Sequence, residues 1–250
     1  MKYSRDEILA FMNDKDYPLS SKYDPDWILN NAMGSHCLWL QESLCQAMHL
    51  KKGMRVLDMG CGKAISSIFL AKEFGVKVWA NDLWIGASDN WQRICEMGEQ
   101  DNICPIHAEA NDLPYAENYF DALVSINSIF FYVTDSDFLR EHLLKLVKPG
   151  GEIGIIVPGF VHEYSNGLPA NYQPYADSFG LNNWHTADWW KMLFEQTGIV
   201  DVILADNLSN NKGLEVLQKT IQIFNEHEEP FNRMAWDDMT FTRIIAQRKK

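Results

Sequence analysis

One segment, Arg55-Val-Leu-Asp-Met-Gly-Cys-Gly-Lys-Ala-Ile-Ser66, predicts the fold of this chain. Residues 55–58 have the composition of a buried strand, Gly60 and Gly62 indicate a tight turn, and the apolar spacing over about 63–74 indicates a helix. A strand, a Gly-x-Gly turn and a helix form the usual phosphate or nucleoside cradle of a doubly wound sheet. Glycine is needed because the chain turns sharply and a ligand must approach the backbone with no Cβ in the way.

Two details of the turn argue against a dinucleotide ligand. Asp58 stands at the end of the strand, where a fixed carboxylate would repel a pyrophosphate. Ile65 occupies the place of the third glycine of the Gly-x-Gly-x-x-Gly pattern. A carboxylate at the strand end suits a ligand that brings a positive or neutral group, such as an ammonium.

The segment Val56-Leu-Asp-Met-Gly-Cys-Gly62 resembles motif I of the class I S-adenosylmethionine-dependent methyltransferases, with Ala64 at the usual third motif glycine. The resemblance implies a Rossmann-like α/β fold, in which a doubly wound, mostly parallel sheet of seven strands has its last strand antiparallel. It also implies S-adenosyl-L-methionine as the cofactor and a small-molecule methyl acceptor. The matching features lie in roughly residues 45–206 and in the last strand, and they occur in the family's order.

A second acid lies at the distance that a nucleoside site requires. The β-branched run over 76–82 ends in Asp82, which lies 22 residues after Gly60. An acid about 20 residues past the glycine turn, at the tip of the second strand, is placed to accept hydrogen bonds from ribose hydroxyls. Leu83 and Trp84 follow it and are candidates to pack on the adenine.

The run over 109–121 resembles the family's acid-Ala-x-x-Leu-Pro-aromatic stretch, which ends in Phe-Asp. In the family, the acid accepts a hydrogen bond from the adenine amino group, and the next backbone N–H meets a ring nitrogen. Glu109 and Ala110 hold these positions, and Asp112 is a rival acid that fits an N-cap or turn equally well.

The strand predicted over 121–127 ends at the same edge of the sheet, where ligands of open α/β sheets bind. The candidates for contact with the cofactor or the acceptor at this end are Ser125, Asn127, Phe130, Phe131 and Tyr132. For the two Phe residues, the alternative is packing in the core. The complete set of predicted cofactor contacts is Asp58, Gly60, Cys61, Gly62, Asp82, Leu83, Glu109, Ala110, Ser125 and Asn127.

Composition restricts the partners. The 250 residues have a formal net charge of −12 and are 46% hydrophobic, which predicts a sizeable core. The acidity argues against nucleic acid, since phosphate contacts need clustered Lys and Arg, and against an anionic membrane surface. Five cysteines with no Cys-x-x-Cys pair argue against a disulfide framework or a zinc site. With no long apolar run or leader pattern, we expect a soluble cytoplasmic protein with no metal.

We expect a single methyltransferase domain over 1–250. Residues 1–50 form a helical lid, in which Trp27 and Met33-Gly34 are candidates to contact the cofactor, and residues 51–206 with 240–248 form the core. Insertions are predicted at 159–185, as part of the acceptor pocket wall, and at 207–238. The helix of the second insertion is either an oligomer surface or an extra lid, and the state, monomer or homodimer, stays open.

Methyl transfer from a sulfonium depends mainly on holding the acceptor and the methyl group in line, so a catalytic base is needed only for an acceptor that carries its proton. The candidates for such a base are His36, Tyr132, His162 and His185. Aromatic residues in segments predicted to form the pocket favour a cationic or amine acceptor through cation–π contacts: Trp27, Trp39, Tyr132, Tyr172 and Trp184. Two alternatives remain, a non-catalytic cofactor-binding protein and a nicotinamide-dependent oxidoreductase.

Overall fold

The computed structural model describes residues 4–133, 135–208, 212–224 and 236–250. Seven strands form one sheet in the order β3-β2-β1-β4-β5-β7-β6. Pairing is parallel from β3 to β5, whereas β7 runs antiparallel to both of its neighbours. The strands are β1 Arg55–Met59, β2 Lys77–Asp82, β3 Ile103–His107, β4 Phe120–Ile126, β5 Val147–Phe160, β6 Val200–Asn207 and β7 Met239–Arg248. The predicted sheet is confirmed.

Helices cover the sheet and connect its strands. The α-helices of the described residues are α1 Arg5–Met12, α2 Pro25–Asn31, α3 Cys37–Cys45, α4 Ile65–Phe74, α5 Ala87–Glu96, α6 Ser136–Phe138, α7 Ala176–Phe179, α8 Ala187–Gln196 and α9 Lys212–Phe224. After α6, the chain continues as a π-helix over Leu139–Leu143 and a 3-10 helix over Leu144–Leu146. The sequence predicts that the helix of the 207–238 insertion covers about 214–227, and residues 225–227 of that range lie outside the described residues.

The strand order creates a crevice at one edge of the sheet. β1 lies between β2 and β4, so the chain first builds outward on one side and then crosses to the other. Ligands of open α/β sheets bind outside the carboxyl ends of the strands where this reversal occurs. The glycine turn after β1 and the residues after β4 therefore border the same crevice.

The N-terminal helix α3 belongs to the core. All of Leu38–Cys45 is buried, polar residues included, so the helix has no solvent-facing side over these residues. The buried Glu42 carboxylate accepts hydrogen bonds from the Leu19 and Ser20 N–H groups and from the Ser20 hydroxyl. On the sheet, Gly154 of β5 leaves room for the Met48 sulfur, which would lie 2.5 Å from a Cβ there.

None of the helices in the described ranges combines the length and the apolar character that crossing a bilayer requires.

Candidate active site

The turn after β1 requires glycine for two reasons, its backbone conformation and the close approach of neighbouring side chains. Gly60 and Gly62 have φ of +75° and +54°, a region that side chains with a Cβ rarely adopt. An ideal Cβ on Gly60 would lie 1.7 Å from Ser128 Oγ, whereas one on Gly62 would lie 3.2 Å from Met33 Sδ. The Gly60 and Cys61 N–H groups both donate to the Asn81 carbonyl oxygen of β2, at 2.8 and 3.0 Å. Hydrogen bonds to β2 therefore hold the turn in place, and Ser128, which follows β4, packs directly against Gly60.

A cavity of about 340 Å³ lies at this edge of the sheet. Its walls come from the ends of β1 to β4 and from the N-terminal segment. The lining residues are Asn31, Met33, Gly34, Cys37, Met59, Gly60, Cys61, Gly62, Lys63, Ile65, Ser66, Asp82, Leu83, Trp84, Ala108, Ala110, Ile126, Asn127, Ser128, Phe131 and Tyr132. The volume lies within the range of small-molecule and cofactor sites, roughly 300–1,000 Å³.

Asp82 joins the first two strand ends at the cavity. Its Oδ2 accepts a hydrogen bond from the Gly62 N–H at 2.7 Å. Its Oδ1 accepts from the N–H groups of Trp84 and Ile85, at 2.8 and 2.9 Å. A carboxylate has about four lone-pair sites, so about one acceptor site of Asp82 is left for a ligand. The residue thus both shapes the turn and faces the cavity.

Asp58 lies beneath the turn and does not line the cavity. It is fully buried, and its Oδ2 accepts hydrogen bonds from the Ser66 and Ser67 hydroxyls at 2.6 Å each. Its Oδ1 has no hydrogen-bond partner. Burial raises the pKa of Asp58 to about 6, and the two serine hydroxyls act against that shift. The Asp58 carboxylate therefore lies under the first turn of α4, and not at the cavity wall where the sequence predicted a ligand contact.

The end of β4 supplies the opposite wall. Asn127 has φ of +53°, a conformation that Asn tolerates better than most side chains, and it directs its amide toward Gly34, whose ideal Cβ would lie 2.7 Å from Asn127 Nδ2. The Tyr132 hydroxyl lies 3.3 Å from Ser125 Oγ and 3.4 Å from the Met59 carbonyl oxygen. Burial raises the pKa of Tyr132 well above its ordinary value, so the phenol stays protonated at neutral pH.

The fourth wall is the lid segment, residues 31–37, which connects α2 to α3. Its residues Asn31, Met33, Gly34 and Cys37 line the cavity. Lys63 Nζ, from the turn after β1, donates to the Asn30 carbonyl oxygen at 3.0 Å just before this segment. The lid segment therefore lies directly against the glycine turn.

Two exposed aromatic rings border the mouth of the cavity. Trp84, after β2, is 67% exposed, and Phe131, after β4, is 51% exposed. The two rings meet edge to face with centroids 5.4 Å apart. Gly180 of the 159–185 insertion lies behind them, since an ideal Cβ there would be 3.6 Å from Phe130 and 3.7 Å from Phe131. The insertion supports the aromatic border, and none of its own residues lines the cavity.

The structure brings together most of the predicted cofactor residues and separates the others. Gly60, Cys61, Gly62, Asp82, Leu83, Ala110 and Asn127 line the cavity. Asp58, Glu109 and Ser125 do not: Glu109 is exposed at the surface, and Ser125 is buried behind Tyr132. Residues that the sequence reasoning missed are Asn31, Cys37, Met59, Ile65, Ser66, Ala108, Ile126 and Ser128. Several of them directly adjoin predicted residues, which is the signal that was available.

Of the four candidate bases, Tyr132 lines the cavity and the three histidines do not. His36 is fully buried, and burial lowers its pKa to about 3. His162 is exposed. His185 Nδ1 lies 2.8 Å from Glu163 Oε1, and its ring stacks on Trp189 with centroids 3.6 Å apart. Trp27, Trp39, Tyr172 and Trp184 also lie away from the cavity walls.

Metal-ligating side chains do not converge at this site. Across the residues that the structure describes, no three His, Cys, Asp or Glu side chains are grouped as a metal ion would require.

Comparison with known proteins assigns the class of this fold. A family model described as "Methyltransferase domain" matches residues 56–151. Phosphoethanolamine N-methyltransferase 1 of Triticum aestivum is 28% identical over 190 residues, covering 74% of this chain and 35% of that protein. Methyltransferase GfsG of Streptomyces halstedii is 23% identical over 213 residues, covering 80% of this chain and 74% of that protein. The chain thus spans about a third of the first relative and about three quarters of the second.

Solved structures share the fold over most of the chain. Phosphoethanolamine N-methyltransferase 2 of Haemonchus contortus, bound to phosphomonomethylethanolamine and S-adenosylhomocysteine, has a TM-score of 0.72 at 19% identity and covers all of this chain, with 61% of its own chain matched. Geranyl diphosphate C-methyltransferase of Streptomyces coelicolor A3(2) has a TM-score of 0.70 at 18% identity, covering 85% of this chain and 77% of its own. The [4+2]-cyclase SpnF has a TM-score of 0.66 at 17% identity, covering 84% and 80%.

The sheet order and the glycine turn place the chain among the doubly wound α/β proteins. More specifically, residues 56–151 match the methyltransferase domain model, and the fold is that of the class I S-adenosylmethionine-dependent methyltransferases that the chain resembles.

Proposed function

We propose that this chain transfers a methyl group from S-adenosyl-L-methionine to a small-molecule acceptor by in-line displacement. The observation that supports this most strongly is the position of Asp82, which lines the cavity and also accepts a hydrogen bond from the Gly62 N–H of the turn. The cofactor, when bound, supplies a methyl group attached to a sulfonium sulfur. The methyl carbon is already electrophilic, and the sulfur leaves as a neutral thioether. The protein therefore needs to bind, orient and exclude water rather than activate a leaving group.

The residues present fit such a cofactor. The turn at Gly60 and Gly62 offers a backbone surface without Cβ atoms, and the remaining acceptor site of Asp82 suits a ribose hydroxyl. Leu83 and Trp84, next along the chain, offer an apolar face for the adenine, with Ala110 at the adjoining wall. Asn127 and the lid segment would enclose the methionine end. The predicted roles of Asp58, Glu109 and Ser125 are supported less, since these three residues lie off the cavity walls.

For the acceptor, we propose an amine or another cationic group. Two further aromatic residues, Phe131 and Tyr132, line the β4 side of the cavity, in a protein of net charge −12. A cation over an aromatic face gains about 0.5–2 kcal/mol, depending on how far it is desolvated. The names of the matched phosphoethanolamine N-methyltransferases agree with an amine, whereas the name of the geranyl diphosphate enzyme indicates a carbon acceptor.

Tyr132 is the catalytic candidate that the geometry favours. Its hydroxyl lies near the turn, and because burial raises its pKa, it stays protonated and would not remove a proton; its oxygen would instead accept a hydrogen bond from the amine N–H, which leaves the nitrogen lone pair free to attack the methyl group. An amine attacks through its own lone pair once neutral, so it needs no strong base. We expect Tyr132→Phe to lower kcat about ten-fold with little change in cofactor affinity, measured by methyl transfer and by calorimetry.

The first test is calorimetric titration with S-adenosylmethionine, S-adenosylhomocysteine and NAD(H). Binding of the sulfonium pair alone supports the proposal, and binding of NAD(H) in its place would overturn it. A radiolabelled methyl-transfer screen then compares small amines with neutral thiols and phenols. Transfer to thiols or phenols alone would remove the amine proposal, while tight cofactor binding without transfer to any acceptor would favour a non-catalytic role.

A further inference from the structure

Helix α9 contacts the end of the lid segment, although the two are distant in sequence. The His36 N–H donates to Thr220 Oγ1 at 3.1 Å, across 184 residues of chain. The Thr220 hydroxyl in turn donates to the Val216 carbonyl oxygen at 2.7 Å, which leaves its oxygen lone pairs free to accept from His36. Both His36 and Thr220 are buried, so bulk water has little access to replace this bond.

His36 connects the lid segment to the core. Its Nδ1 accepts the Trp39 N–H at 3.3 Å and so caps the start of α3. Its ring stacks on the Trp39 ring with centroids 3.9 Å apart. Because Nδ1 accepts and the ring is neutral, the proton is on Nε2. The position of the His36 backbone is therefore set from two sides, by α3 through its ring and by α9 through its N–H.

Charged contacts bring α9 against the same N-terminal region. Lys219 forms an ion pair with Asp14, and Lys212 forms one with Asp16. The Lys219 ammonium also lies 5.3 Å from the centre of the Trp39 ring. These contacts align α9 with the start of α3, so the bond from Thr220 to His36 is part of a continuous interface.

The other end of this chain of contacts is the cavity. Met33 Sδ lies 3.2 Å from the Cβ position of Gly62, and Gly34 lies against the Asn127 amide. Residues 32–36 form neither helix nor strand, so no ladder of backbone hydrogen bonds holds them in place. Their position depends on how their two ends are anchored, at α2 and at His36.

We propose that Thr220 is a positioning residue for the cofactor site: it anchors the lid segment through the His36 N–H, so that Met33 and Gly34 close over the glycine turn. Helix α9 then belongs to the working parts of the site rather than to a surface for a second copy of the chain. The inference rests on the proposed binding of S-adenosylmethionine and adds to it a residue that does not line the cavity.

The test compares three variants by calorimetry with S-adenosylhomocysteine. Thr220→Val removes the hydroxyl at nearly constant volume, and we expect the Kd to rise about ten-fold, which corresponds to about 1.4 kcal/mol. Thr220→Ser keeps the hydroxyl and should bind within about two-fold of the wild type, on the same scale. Leu193→Ala, at a buried position on α8, away from the lid segment, should lower the melting temperature while leaving the Kd unchanged.

A second readout follows the lid segment itself. Without ligand, amide hydrogen exchange over residues 31–37 should be faster in Thr220→Val than in Thr220→Ser. If Val does not fit, Thr220→Ala also removes the hydroxyl and should give the same two results. Equal Kd values and equal exchange for the hydroxyl-free and hydroxyl-bearing variants would overturn the inference alone. A wild-type protein that does not bind S-adenosylhomocysteine would overturn both this inference and the proposed function.

Discussion

The cavity has two sides that are held in place by different means. The sheet side consists of the lining residues that lie within 59–66, 82–84, 108–110 and 126–132, four segments at or directly after the ends of β1 to β4. The lid side consists of the lid segment, residues 31–37, which depends on contacts with residues up to 184 positions away. The sheet side is fixed by the hydrogen bonds of neighbouring strands. The lid side is fixed by a few separate bonds, so single substitutions should change it more selectively.

The largest effect should come from Gly60→Ala on the sheet side. The new Cβ would overlap Ser128 Oγ, at 1.7 Å, on a backbone with positive φ, so the turn or the end of β4 must move. We expect affinity for S-adenosylhomocysteine to fall at least ~1,000-fold, measured by calorimetry, with the fold checked by circular dichroism.

Gly62→Ala is the matched control for that experiment. Its Cβ would meet only the flexible Met33 side chain, at 3.2 Å, so the loss should be about ten-fold or less. If the two alanine variants bind equally well, the rigidity assigned to the sheet side is refuted.

The next effect concerns stability beneath the turn. The folded-state pKa of Asp58 is raised to about 6, above its ordinary value of 3.8, so the folded protein binds more protons than the unfolded chain between these values. The protonated Asp58 carboxyl therefore contributes fully to the free energy of unfolding below about pH 4, and this contribution is lost as the pH rises through 6. The introduced Asn side chain does not titrate, so the Asp58→Asn variant does not lose this contribution. The unfolding free energy of the variant minus that of the wild type should therefore be on the order of 3 kcal/mol higher at pH 7 than at pH 4. Urea denaturation at several pH values measures this, and a pH-independent difference would contradict it.

A smaller effect is expected at Asp82. Asp82→Asn removes the negative charge of the carboxylate, which accepts hydrogen bonds from three backbone N–H groups and lines the cavity. A hydrogen bond to a charged group contributes about 1.5–3 kcal/mol, so cofactor affinity should fall about 30-fold. The exposed rival acid provides the control, and Asp112→Asn should leave the calorimetric Kd unchanged. Equal losses in both variants would mean that general acidity, rather than this carboxylate, attracts the ligand.

The smallest effect should be at His162. This residue is exposed and lies outside the cavity walls, so His162→Ala should change kcat/KM by less than about two-fold, within the range of surface substitutions. A large loss of methyl transfer with an unchanged cofactor Kd would show that the 159–185 insertion moves into the acceptor site. The cavity would then have a third side, formed by the 159–185 insertion, in addition to the sheet side and the lid side.

Local patterns predicted the sheet side well because its residues are close in sequence to the features that place them. A strand that ends in Gly-x-Gly, and a second strand that ends in an acid, fix the positions of Gly60, Gly62 and Asp82 within a few residues. Asp58 shows the limit of this reasoning: its place at the strand end was clear, but only packing decided that Ser66 and Ser67 would cover its carboxylate.

The sequence by itself determined the doubly wound sheet, the glycine turn and the acid that faces the cavity, since each depends on hydrophobic periodicity or on backbone conformations that few residues adopt. Only the tertiary structure decided which aromatic residues border the cavity, that α3 is a core helix, and that α9 reaches the lid segment through Thr220. These outcomes depend on contacts between segments far apart in the chain, and no local pattern encodes which distant surface will cover a given face.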